Sequence, residues 1–374
     1  MRELFDSVGF AHGPTAKNRF MLSPLTNAQS HEDGRLSDDE FNWLTLRARG
    51  GFGLTVTCAS HVQPRGQGFP GQLGIFSDEH LDGLLRLAAG IKAEGSLAMV
   101  QLHHAGMRSP AALIRTQPVC PSDNAKTGAR ALSLVEVGQL GEDFVAAAVR
   151  ADRAGFDGVE VHGAHGYVIS QFLNAEVNRR TDRYGGSLEN RARLLFEVVA
   201  GIRTHCRSDF IVGVRLSPER FGMQLAEIRT VAGRLMSDGV IDLLDLSLWD
   251  AFKEPEEEEF RGRSLLSHFT ELERGRVRLG VAGKIMGGRD AVRSIEAGAD
   301  LAVVGRAAIL HHDFPNRVLA DPGFEAVGLP VTAGYLRSEG LGEAFIKYLD
   351  NWKGFVQPEA PSPGVSQSNA SGSA

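Results

Sequence analysis

The sequence predicts a single parallel (β/α)8 barrel with enlarged loops at its C-terminal face. Three observations lead there. Eight short runs rich in Val, Leu and Ile alternate with longer stretches of helical period. The first run leads into Thr26, Asn27 and Ala28, without the G-x-G-x-x-G turn that an open doubly wound sheet would place there. Three long insertions all follow strands, at the end where barrel enzymes keep their chemistry.

Strands are expected at 20–24, 54–59, 98–103, 158–162, 211–217, 243–248, 279–285 and 301–305. Helices are expected at 39–49, 78–94, 140–154, 189–205, 226–237 and 290–297. In 78–94, Leu81, Leu84, Leu85, Ala88 and Ile91 form one apolar stripe. In 189–205, Ala192, Leu195, Phe196, Val199 and Ile202 do the same, with Ser187 available as N-cap. The insertions are 106–133, 174–187 and 250–264, the last carrying an acidic run at 256–259 that reads as a solvated loop. The barrel domain is expected over 1–356, and the Pro-, Ser- and Gly-rich tail 357–374 is expected to be disordered.

Composition narrows the function. Lys+Arg 40 against Asp+Glu 46 gives a net charge of −6, which argues against nucleic acid or an anionic membrane as partner. Cys58, Cys120 and Cys206 form neither a disulfide framework nor an iron–sulfur or zinc ligand set. With no apolar leader and no apolar stretch of membrane-spanning length, a cytoplasmic protein is expected. The 44 glycines follow no fixed period, so they point to turns and close backbone approaches.

Period-two alternation sorts the strands into two faces. Val159, Val161, Val212, Val214 and Leu216 face the helices. Gln101, Glu160, His162, Arg215 and Asp245 then face the barrel axis. Such a polar interior is either a structural Glu160–Arg215–Asp245 ion network or a site where Arg215 and Gln101 meet a polar, partly anionic ligand. After the fourth strand, Gly163 and Gly166 allow a turn that brings His165 beside His162, with Tyr167 near. Two imidazoles could donate to one oxygen while the phenol supplies a proton; a His-x-x-His zinc site is the alternative, with His103 or His104 as a further ligand, only one of which can point inward. Gly283 with Lys284, and Gly305 with Arg306, end the seventh and eighth strands. They suit a phosphate pocket, or are ordinary turns.

The most specific stretch runs Gly155-Phe156-Asp157-Gly158-Val159-Glu160, then His162-Gly163-Ala164-His165-Gly166-Tyr167, then Gln171-Phe172-Leu173 and Asn178-Arg179-Arg180-Thr181-Asp182-Arg183-Tyr184-Gly185-Gly186-Ser187. Supporting stretches are Lys17-Asn18-Arg19-Phe20, Gln101-Leu102-His103-His104-Ala105-Gly106 and Arg215-Leu216-Ser217-Pro218. Over about 3–320 the chain resembles the Old Yellow Enzyme family of FMN-dependent ene-reductases. The resemblance implies bound FMN, with NADPH or NADH as hydride donor and a small-molecule activated alkene as substrate. Ser23, Pro24, Leu25 and Thr26 would line the flavin, Thr26 at its C4 carbonyl side. Ala59 would pack near the ring, Gln101 would bond its pyrimidine edge, and Arg215 would sit by N1 and the C2 carbonyl. Gly283, Gly305 and Arg306 would hold the phosphate. His162, also at the flavin, and His165 would grip the oxygen of an enone, enal, maleimide or nitroalkene, and Tyr167 would protonate the α-carbon.

This sequence has Thr26 where many bacterial members carry cysteine, and Met107 then Arg108 where many place arginine directly. A homo-oligomer, dimer or tetramer, is expected. Tyr348, Trp352 and Phe355 recur at i, i+4 and i+7, as a helix on the barrel exterior or as a cap over a neighbouring subunit's site. Two other classes stay open at this point: a flavin-free, phosphate-binding barrel lyase or isomerase using Lys284, and a sensor that only binds FMN.

Overall fold

The computed structural model describes residues 2–358. Eight parallel strands close into a barrel. They are β1 (Phe20–Leu22), β2 (Leu54–His61), β3 (Leu97–His103), β4 (Gly158–Gly163), β5 (Ile211–Leu216), β6 (Leu243–Ser247), β7 (Arg278–Ala282) and β8 (Leu301–Val304). Each pairs with the next in sequence, and β8 closes on β1 through Ala302 opposite Phe20. A register shift between Val56 and Ala59 re-aims the end of β2.

Around the barrel lie α1 (Asp38–Arg49), α2 (Leu81–Ala93), α3 (Leu134–Arg153), α4 (Leu188–His205), α5 (Leu225–Ser237) and α6 (Gly288–Glu296). The unit after β6 has only one helical turn, Ser267–Thr270, and β8 leads into two short helices, Arg306–Leu310 and Phe314–Ala320. Ser187, available as a cap, does cap: its Oγ accepts from Asn190 N at 3.3 Å; Ser37, not anticipated, caps α1 in the same way, its Oγ accepting from Glu40 N at 3.1 Å.

Two boundaries and one loop depart from expectation. Helix α3 begins six residues before 140, because Ser133 and Glu136 form a reciprocal capping box, Glu136 N to Ser133 Oγ at 3.2 Å and Ser133 N to Glu136 Oε2 at 2.9 Å. Strand β7 stops at Ala282 rather than 285, since Lys284 takes a left-handed φ of 52°. The acidic run is not simply solvated: Glu257 Oε1 accepts from Leu225 N at 2.6 Å, capping α5.

The barrel interior is stratified. Its lower layer is apolar, built from Met21, Leu54, Val56, Met99, Ile211, Leu243 and Leu301. An N-terminal hairpin absent from the sequence reading, Val8–Gly9 paired with Thr15–Ala16, adds Val8, Phe10 and Ala16 to this floor. The outward valines of β4 and β5 join the separate layer between strands and helices. Fully burying each such side chain contributes about 1.5–3 kcal/mol. The polar residues are left to the upper layer.

Beyond the barrel, helices Ala333–Ser338 and Glu343–Leu349 fold back on α1, where Phe345 meets Trp43 edge-on at 5.5 Å. Gln357 N donates to Val331 O at 2.7 Å, so the first tail residue is tied down. The rest of the expected disordered tail, 359–374, lies outside the described residues. No helix among the described residues is long and apolar enough to cross a membrane.

Candidate active site

A cavity of about 670 Å³ opens at the C-terminal mouth of the barrel. That volume suits a cofactor-sized ligand. All the residues expected there line it. The segment after β1 supplies Ser23, Pro24, Leu25 and Thr26; β2 and β3 supply Ala59 and Gln101. Strand β4 and its loop supply His162, His165 and Tyr167, and β5 supplies Arg215. Gly283 follows β7, while Gly305 and Arg306 follow β8.

Strand register makes the charged layer. Gln101 lies opposite Glu160, and Arg215 lies between His162 and Asp245. Gln101 Nε2 donates to Glu160 Oε2 at 2.6 Å. Arg215 Nε stands 2.9 Å from Asp245 Oδ2, and its Nη2 donates to Ser23 Oγ at 3.1 Å at the cavity wall. The expected three-member ion network is therefore a single ion pair, with Glu160 held by Gln101 and its Oε1 buried without a partner. Two buried carboxyls thus lie in one layer with a single guanidinium, which pairs with Asp245 alone. Burial first, then the charge of Asp245, pushes the Glu160 carboxyl up to about 8, and burial also raises Asp245.

This has a pH consequence. A carboxyl raised in the folded state favours folding while it keeps its proton, and that advantage fades as pH rises from the ordinary 4.5 through about 8. Glu160→Gln removes the titration. The variant should gain stability over wild type as pH is raised across that window, read by urea denaturation at several pH values. A stability difference that does not change with pH overturns this assignment.

The histidines form a chain. His103 Nδ1 lies 3.0 Å from His162 Nδ1, His162 Nε2 lies 2.9 Å from His165 Nδ1, and His165 Nε2 lies 2.7 Å from Ser247 Oγ. The turn does bring the two imidazoles together as expected, and in this structure they bond each other. Buried ring nitrogens need partners, and here all but His103 Nε2 take the nearest polar group, mostly another imidazole. Burial lowers the pKa of all three, His165 to about 3 and the other two well below the usual range. The turn also differs in detail. His165 itself (φ 60°) and Gly166 (φ 70°) take the left-handed conformation. Gly163 remains in β4, where a Cβ would press on Arg215 O at 3.0 Å.

Tyr167 stands edge-on to His103 at 4.3 Å and to His162 at 5.1 Å, and burial raises its pKa. Its phenol is therefore protonated at neutral pH. Arg108 lies over the Tyr167 ring at 4.7 Å and donates to His165 O. The guanidinium displaced by one position in sequence thus still reaches the site.

At the phosphate-type corner, Lys284 Nζ is tied to Asp250 Oδ2 at 3.0 Å. Arg306 is exposed and has no carboxylate partner among the described residues. The space a Cβ would need at Gly283 is filled by backbone, Ala251 N at 2.7 Å and Asp250 N at 2.9 Å. The one trio of His, Asp and Glu close enough to hold a metal among the described residues is His312, Asp313 and Glu339, outside this cavity.

Tyr348 and Trp352 do not pack only on the barrel exterior: they line the mouth of their own chain's cavity. The helix stops at Leu349, so Trp352 reaches the mouth from the turn that follows, 5.9 Å from Tyr348 and 5.4 Å from buried Phe355. Sequence reasoning missed Phe221 and Trp249. Both line the cavity at left-handed φ, 53° and 62°, and both are well exposed. Only their position just past strand ends marked them.

A closed barrel with this mouth defines a barrel oxidoreductase built for a flavin. Residues 3–321 match the model of the NADH:flavin oxidoreductase / NADH oxidase family. The chain is 36% identical over 328 residues to the probable NADH-dependent flavin oxidoreductase YqiG of Bacillus subtilis, covering 85% of this chain and 88% of that protein. It is 33% identical over 343 residues to the NADH:acrylate oxidoreductase of Vibrio harveyi, covering 86% of this chain but 33% of that protein, so it spans about a third of that relative's length. Among solved structures, the old yellow enzyme homologue from Zymomonas mobilis superposes with a TM-score of 0.75 at 29% identity, covering 89% of this chain and 96% of that one. Morphinone reductase gives 0.74 at 28% identity, covering 94% and 97%. The chain belongs to the Old Yellow Enzyme family of FMN-dependent NADH or NADPH oxidoreductases.

Proposed function

We propose that the protein is an ene-reductase acting on small activated alkenes: enones, enals, maleimides or nitroalkenes. One observation carries the reading. A protonated phenol, Tyr167, stands against paired neutral imidazoles in the cavity that also holds Gln101 and Arg215.

The residues fit FMN. Arg215 offers a guanidinium beside Ser23 at the cavity wall, and Arg306 offers one with no carboxylate to satisfy it. Ser23, Pro24, Leu25, Thr26, Ala59, Gln101, His162 and Arg215 would hold the ring system, and Gly283, Gly305 and Arg306 the phosphate. Bound there, FMN would supply hydride-transfer chemistry between NADH or NADPH and the alkene. His162 and His165 would bind the carbonyl or nitro oxygen and draw electron density from the double bond. Tyr167 would give its phenolic proton to the α-carbon. The cytoplasmic location and the homo-oligomeric state expected from the sequence belong to the same proposal.

Lys284 does not favour a flavin-free lyase or isomerase. It is half-exposed and ion-paired with Asp250, whereas a Schiff-base lysine is made nucleophilic by desolvation. The test is direct. The purified protein should be yellow, bleach anaerobically with NADPH or NADH, and recover its colour with cyclohexenone. Recovery with oxygen but with no alkene overturns the ene-reductase reading.

The C-terminal aromatics give a second test. Trp352→Ala should raise KM for ring-bearing alkenes roughly three- to tenfold, the factor matching the ~0.5–1.5 kcal/mol of an aromatic contact, and should leave flavin content unchanged. Unchanged steady-state kinetics would remove Trp352 from the substrate site.

A further inference from the structure

His103 begins the imidazole chain, and the proposed chemistry does not use it. It is buried on β3, and its Nε2 has no hydrogen-bond partner among the described residues. Each of the two nitrogen–nitrogen contacts, His103 to His162 and His162 to His165, needs one donor and one acceptor. A neutral imidazole has one of each. Three neutral rings therefore satisfy both contacts in only two ways.

In the first, His162 Nδ1–H donates to His103 Nδ1, and His165 Nδ1–H donates to His162 Nε2. His103 must then carry its proton on Nε2, a buried N–H with nothing to accept it. In the second, His103 Nδ1–H donates to His162 Nδ1, His162 Nε2–H donates to His165 Nδ1, and His165 Nε2–H donates to Ser247 Oγ. The unmatched group is then a lone pair on His103 Nε2. Buried N–H groups without an acceptor are rarer in proteins than under-satisfied acceptors, so the second arrangement prevails.

We propose that His103 is a positioning residue that holds His162 as its Nε2–H tautomer. The Nε2–H of His162, which donates to His165 Nδ1 in this structure, is thereby the donor that a carbonyl or nitro oxygen would take over from His165. In the opposite tautomer a lone pair would face that oxygen's lone pairs. The consequence for substrate rests on the ene-reductase reading; the tautomer does not.

The test is long-range proton–nitrogen NMR of the flavin-loaded protein labelled with 15N-histidine, His162 being assigned from the signal missing in His162→Gln. Expected is a protonated Nε2 and an unprotonated Nδ1 at His162 in the wild type. His103→Leu should move both nitrogens toward the average of the two tautomers, and His103→Asn, whose amide can donate, should restore them. Cyclohexenone binding to the oxidised protein, followed by calorimetry, should weaken about tenfold in His103→Leu, as loss of one aligned hydrogen bond implies, and recover in His103→Asn. A wild-type His162 protonated on Nδ1 overturns the proposal, and that spectrum decides even if His103→Leu fails to fold. A His162 tautomer unmoved in a folded His103→Leu also overturns it. If every enone proves inert while His162 carries its proton on Nε2, the ene-reductase reading falls and the role of His103 stands.

Discussion

Arg215→Met is expected to cost the protein its flavin and about 3–5 kcal/mol of stability, because it leaves a buried carboxylate without its counter-charge. Arg215 lies at 4% exposure with Asp245 at 0%, so solvent screens little of their attraction. The side chain also donates to Ser23, part of the cavity wall. Methionine fills much of the volume and supplies none of the charge. Asp245 then sits near Glu160 with no cation between the two carboxyls. Adding Asp245→Leu should recover much of the lost stability, since an apolar pair can replace a buried ion pair, and should not restore the flavin. Denaturant unfolding and the flavin absorbance of the purified variants measure the two effects. A single variant that keeps its colour and unfolds within about 1 kcal/mol of wild type would show that Arg215 is not the residue on which the layer depends.

Tyr167→Phe is expected to slow alkene reduction by about 10²–10⁴, the range for removing a positioned general acid. It should barely change the rate at which NADPH or NADH bleaches the protein. The variant keeps the ring contacts with His103 and His162 and the guanidinium of Arg108 over the ring, so folding and ligand position are preserved. The phenolic oxygen makes no hydrogen bond to the protein among the described residues, so its loss strands no buried partner. Burial raises the pKa of Tyr167, so the wild-type alkene step should hold its rate across neutral pH and fail only in strong alkali. Rapid-mixing measurement of the two half-reactions separates the effects. Equal slowing of both removes Tyr167 from the proton-donor role.

The barrel and its polar mouth were legible because both follow from period-two alternation. Val159 and Val161 had to face the helices, which turned Glu160 and His162 inward. What was not legible depends on distance along the chain. Nothing local pairs His103 with His162, 59 residues away, or brings Trp352 back over the mouth. The hairpin at the barrel floor has strands of two residues, too short for any period to show. The early start of α3 was legible and was passed over: Ser133 and Glu136 stand three apart, as a capping box requires. Glu257 shows the reverse, since an acidic run looks solvated until another segment's backbone N–H arrives to be capped.

The floor hairpin also bears on how the chain assembles. Its Gly9 O is held by Arg278 Nε at 2.7 Å, and His12 N is held by Asp242 Oδ1 at 2.8 Å. The hairpin therefore finds these partners only once segments 269 and 230 residues further along have been made. The same delay governs one edge of β1, which waits for β8 while the other pairs with β2. Until that seam closes, the channel stays wet, and Arg215, Asp245 and Glu160 keep their hydration. Dehydration of the whole charged layer is thus deferred to one late event that joins the two ends of the barrel. Its folding should be slow, as long-range closure requires, and its melting should be a single transition in which floor, wall and mouth are lost together.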